Sequence, residues 1–189
     1  MSMLPIFRAA LAVALLIVLA PQGEAGDDKE KGEEIVPPPK PPELKVLNRF
    51  LGTWDTELVS KPAAWSPKET KSQGVSTFTW TLDGRFLRSV GKSVPPEKAE
   101  SMQMMTYDPV RKEFYMWFFD SFGTFSESAG QWDADNQVLT WKAEPDEKLT
   151  SINRVQFVDK NTVQWTMTIK DKENKLYLDL RGKMQRRKE

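Results

Sequence analysis

Asp120 and Glu127 lie across one expected hairpin, where they could face each other and carry acid–base chemistry. Two carboxylates facing one cleft can act as acid and base when their surroundings push their pKa values apart. Structural acids at turns and surfaces adopt the same spacing, and that is the competing reading. The chain has no His and no Cys. The usual zinc and copper sites, which need imidazole or thiolate, are therefore excluded. So are Ser-His and Cys-His nucleophile pairs. Any catalysis falls to carboxylates, Lys or Tyr. Asp133, Asp135 and Glu144 match the first, third and twelfth positions of a calcium loop, but Val138 holds the sixth. The tight loop needs glycine there, so a plain hairpin turn is expected, with no metal and no cofactor.

Binding chemistry has better-furnished candidates. Phe78, Trp80, Trp141, Trp165 and Met167 are large apolar groups at alternating positions of strand-like segments. Alternation puts such groups on one face, where they can line a lumen or fill a core. Arg88 could pair a ligand carboxylate if it points inward. Its competing readings are a solvent-facing arginine or an ion pair to Glu127.

These residues sit on segments that read as strands almost without interruption. About ten are expected: 53–60, 73–82, 85–92, 102–107, 113–120, 124–132, 138–143, 150–158, 162–170 and 176–185. Short polar turns join most of them and leave no room for crossover helices. Short connections make sequential strands pair antiparallel. The expected fold is all-β: an antiparallel up-and-down meander that closes into a barrel, since closure removes exposed edges. A two-sheet sandwich is the competing architecture. Leu44, Leu47 and Leu51 recur at helical spacing after Pro42, which predicts one or two helical turns closing one end. The Asp83-Gly84 hairpin has two readings. A two-residue turn puts Arg85 and Leu87 on the face of Trp80; a three-residue loop puts Phe86, Arg88 and Val90 there. The second is preferred, because it gives Phe78 and Trp80 apolar partners. A one-residue slip flips every side chain.

The N-terminus reads as a targeting segment. Arg8 precedes the apolar run Ala9–Ala20, and a small-residue site lies near Ala25. That pattern predicts a secretory signal over residues 1–25. Twelve apolar residues are too few for a spanning helix, which needs about 20, so no stable membrane insertion is expected after cleavage. Residues 26–42 are charged and then proline-rich, and read as an extended linker. Residues 43–189 form the folded domain. Export to a bacterial periplasm or exterior is expected. Lys+Arg and Asp+Glu are 27 each, and this balance argues against nucleic acid as a partner.

Gly52-x-Trp54 at the first strand resembles the lipocalin and calycin signature. The resemblance implies that Trp54 plugs the closed end, that Gly52 lets the entering helix approach, and that a last-strand arginine stacks on the tryptophan. Arg181 is the first candidate for that cation and Arg186 the second. Leu51–Asp55, Trp80–Leu87, Tyr107–Ser121 and Asp133–Thr140 follow in an order similar to the bacterial family catalogued as domain of unknown function fifteen seventy-nine. The resemblance covers about Leu47 to Met184. It implies a lipocalin-like barrel and supplies no catalytic residues. The loops 60–72 and 93–101 depart from it in being rich in proline and lysine. The leading expectation is a binding module for a small apolar or amphipathic molecule, held among Phe78, Trp80, Arg88, Trp141, Trp165 and Met167. Two others stand beside it: a packed barrel acting as a structural or protein-interaction domain of the cell envelope through its loops or the Tyr115/Trp117/Phe119 face, with an unknown partner, and an enzyme using Asp120 and Glu127.

Overall fold

The computed structural model describes residues 36–94, 98–146 and 148–188. The predicted signal segment and residues 26–35 of the linker lie outside them. The chain divides after Pro37, and the barrel unit begins at Pro38. Among the described residues, ten strands follow one short helix: β1 (Gly52–Lys61), β2 (Thr70–Thr81), β3 (Phe86–Ser93), β4 (Glu100–Asp108), β5 (Glu113–Asp120), β6 (Phe125–Asp133), β7 (Val138–Asp146), β8 (Leu149–Phe157), β9 (Thr162–Asp171) and β10 (Leu176–Arg186). Each strand pairs antiparallel with its sequence neighbours, and β1 pairs β10 to close the barrel. This is the meander that the short turns dictate, and it rules out the sandwich.

The helix is a 3-10 helix over Pro42–Phe50, with Leu44, Leu47 and Phe50 buried. Three residues per turn put every third side chain in line, so Phe50 takes the inward place that an α-helical spacing assigns to Leu51. Leu51 is half-buried and leads into β1. Pro42 fits the start of the helix, where an N–H would have no partner.

Closure joins the first strand to the last through eight Cα partners, from Trp54↔Arg186 to Lys61↔Asp179. Outside that ladder, Arg187 Nη2 lies 2.6 Å from Asp55 Oδ1. This bond to Arg187 holds the Asp55 carboxyl below its ordinary pKa.

The second hairpin takes the register not preferred on sequence grounds. Arg85 N–H donates to Leu82 C=O, with Asp83 and Gly84 both at positive φ (55° and 69°). A tight hairpin turn of that hand matches the right-handed strand twist, and Gly and Asp tolerate it best. Trp80 therefore faces Leu87 and Phe78 faces Ser89. Arg88 lies opposite Thr79 and Met104, exposed on the outer face. The expectation that Arg88 enters the lumen is corrected: the turn fixes parity, and the inward places go to Leu87, Ser89 and Gly91.

Candidate functional site: the barrel lumen

One end of the barrel is plugged. Trp54 is fully buried, and its Nε1–H donates to the carbonyl of Phe50 at 2.6 Å. The Arg186 guanidinium lies 4.2 Å from the centre of the Trp54 ring. The same group donates to the carbonyls of Leu51, Arg49 and Lys160. One side chain therefore ties the helix, the β8–β9 turn and the last strand around the tryptophan. The first candidate, Arg181, is corrected. It points outward and pairs with Asp179 at 3.2 Å. Residues 181 and 186 differ by an odd number, so they stand on opposite faces of one strand. A Cβ at Gly52 would touch Arg186, and its φ of 101° suits glycine, so both space and backbone demand this residue.

Phe78 and Trp80 belong to this plug. Phe78 stacks on Phe50 with centroids 5.3 Å apart. Trp80 Nε1–H donates to Asn48 Oδ1 on the helix at 2.9 Å. They form the floor under the lumen.

Above the floor, two tryptophans lie flat on glycines of the neighbouring strand. A Cβ on Gly130 would overlap the Trp141 ring, and one on Gly182 would overlap the Trp165 ring. Trp141 is buried against Phe114. Trp165 and Met167 are half-buried, as are the inward-facing Leu58, Gln103, Phe118 and Leu180. Inward side chains that keep partial exposure in mid-strand mean that water reaches the lumen from the end away from the helix. Gly182→Ala is expected to push the Trp165 ring off its seat and lower stability by about 1–3 kcal/mol, the usual range for overpacking. Thermal unfolding checks this.

The lumen has two unlike walls. Strands β9, β10 and β1 present Trp165, Met167, Leu180 and Leu58. Strands β2, β3, β4 and β6 present serines and glycines on alternate positions: Ser72, Gly74 and Ser76, then Ser89, Gly91 and Ser93, then Ser101, then Ser126 and Ser128, with Met116 and Phe118 of β5 between the last two strands. The hydroxyl wall escaped the sequence reading, although its signal was present. These residues share parity with Phe78 and Trp80 on β2, and with Leu87 on β3.

The acids do not converge. Asp120 Oδ1 accepts the backbone N–H of Phe122 and of Thr124, each at 2.9 Å, and so shapes its own turn. Glu127 stands on the outer face, where it accepts Trp117 Nε1–H at 2.8 Å. Asp133 accepts the Asn136 backbone and side-chain amides in a plain turn. Those bonds hold its carboxyl below the ordinary value. Among the described residues, no three acids gather as metal ligands.

A concavity of about 520 Å³ lies outside the barrel between Pro38–Pro41 and the outer faces of β3–β6. Tyr115, Trp117, Phe86 and Arg111 line it. Phe119, Phe122 and Phe125 continue the apolar surface toward the mouth, exposed at 40%, 80% and 77%.

A ten-strand antiparallel barrel with an entering helix, a tryptophan plug and an arginine across it defines a lipocalin-like protein. The chain belongs to the family described as "Protein of unknown function (DUF1579)", which matches residues 40–186. No curated protein sequence matches it. Two solved structures share its fold at low identity. The S-type phycobiliprotein lyase CPES from Guillardia theta aligns with a TM-score of 0.53 at 13% identity, covering 77% of this chain and 92% of that one. Rv2717c from M. tuberculosis aligns with a TM-score of 0.56 at 14% identity, covering 79% and 100%.

Proposed function

We propose that this protein is an exported binding module whose lumen holds one small apolar or amphipathic molecule. The observation that carries the reading is the pair of inward walls above a dry plug, with Trp165 and Met167 half-buried at mid-barrel. Apolar walls with a few placed polar groups are the ordinary make-up of small-molecule sites. The Guillardia neighbour is named a lyase of phycobiliproteins; its likeness here is one of fold. The opposed faces of Asp120 and Glu127 favour binding over carboxylate catalysis. Residues 1–25 support export.

Native mass spectrometry of the protein purified from a secreting bacterium tests the proposal. The expected spectrum carries an adduct of a few hundred daltons that is lost on denaturation. An adduct that survives Trp165→Arg but is lost on Trp117→Arg would move the site to the outer concavity. The second reading is a protein-interaction face on that same outer surface, and the exposed Phe119, Phe122 and Phe125 favour it.

A further inference from the structure

We infer that the lumenal ligand is uncharged and donates a hydrogen bond to Asn153 Oδ1; the inference rests on the lumen being the binding site. Two observations carry it independently of any relative.

The first is charge. Above the Trp54 floor, the inward positions of the described strands hold apolar residues, serines, glycines, Thr56, Thr70, Gln103 and Asn153, with two acids at the rim. They are Asp120 and Asp171, and each carboxylate already accepts two turn amides. Arg186 lies below the floor, committed to Trp54 and three carbonyls. Arg88, the one cation placed inward by sequence reasoning, is on the outer face. A carboxylate, phosphate or ammonium entering this lumen would lose its hydration and meet no counter-charge. Buried charges without partners are strongly disfavoured. The hydroxyl wall offers hydrogen bonds to neutral groups instead.

The second is Asn153. It stands on β8 between Trp141 of β7 and Met167 of β9, all on the inward face. Its Oδ1 is buried with no hydrogen-bond partner among the protein's own atoms. Nearly every buried polar side-chain atom in a folded protein is paired, so an orphan in a lumen asks for a donor. An amide oxygen accepts from a hydroxyl or an amide N–H and gives nothing to a carboxylate. The class that satisfies both observations is a neutral amphiphile with a hydroxyl or amide head, its apolar body along the Trp165–Met167 wall.

Calorimetric titration of the full chain near neutral pH with 1-decanol, decanoate and decylamine tests this. 1-Decanol is expected to bind, and decanoate about a hundredfold more weakly or not at all. Asn153→Leu is expected to weaken 1-decanol about tenfold, the loss of one hydrogen bond to the ligand. Asn153→Asp is expected to admit decylammonium, which the native lumen refuses. Equal affinity for 1-decanol and decanoate in the native protein would overturn the inference while leaving the lumen as the site. So would unchanged 1-decanol affinity in a folded Asn153→Leu. If none of the three probes binds, the lumen reading falls and the inference with it.

Discussion

Trp54→Ala will lower the unfolding free energy by about 4 kcal/mol, the middle of the range for emptying a buried aromatic site. Three features of the plug set that size. The indole is fully buried, so its whole apolar area returns to water on unfolding. The neighbours that would have to collapse into the hole are held in place: Phe50 by Phe78 and Phe157, and Arg186 by three carbonyls. A rigid surround relaxes little, and cavity cost rises with the volume left behind. The cation–π contact with Arg186 is lost as well, worth roughly 0.5–2 kcal/mol. For a domain of this size the midpoint should fall by roughly 10 °C. Equilibrium unfolding in urea reads the change directly. A loss under about 1 kcal/mol would mean that the helix and floor hold without their tryptophan, against the range for such sites.

Trp165→Arg is expected to abolish uptake of neutral amphiphiles, by about a hundredfold or more, while the barrel stays folded. The native ring lies flat against Gly182 and faces the lumen. An arginine there brings an unpaired charge into a space whose walls carry none. Its long stem can turn the guanidinium toward the mouth and water, which spares the fold and blocks the entrance. Trp117→Arg is the control. It sits on the outer face beside Glu127, where a cation has a carboxylate to meet.

The barrel was legible because its signals are local and repeated. Ten alternating segments with short turns have few ways to pair, and the structure takes the sequential one. The helix was legible in place and not in type, since leucines at three- and four-residue intervals fit either helix, and the choice of Phe50 over Leu51 depends on what the floor has room for. Arg88 was misplaced by one residue of register. The sequence Leu82-Asp83-Gly84-Arg85 permits both turns, and only the full ladder from Thr81↔Phe86 to Gly74↔Ser93 fixes parity. Arg186 could have been found. It shares the parity of Leu178, Leu180 and Met184, while Arg181 shares that of Asp179. The serine wall was hidden by its own chemistry: small polar residues at alternate positions read as a solvent face until closure turns that face inward. Asn153 had no sequence signal at all, because an unpaired oxygen becomes visible only when its surroundings are in place.

The measurement that tests the lumen most directly is a fluorescence titration with N-phenyl-1-naphthylamine, a neutral aromatic amine whose emission rises in apolar surroundings. The native protein, Trp165→Arg and Trp117→Arg are compared, each checked for folding by far-ultraviolet circular dichroism. Saturable binding of one probe per chain is expected in the native protein and in Trp117→Arg, and none in Trp165→Arg. Full binding in a folded Trp165→Arg, with loss in Trp117→Arg, would contradict the lumen and place the site on the outer aromatic face.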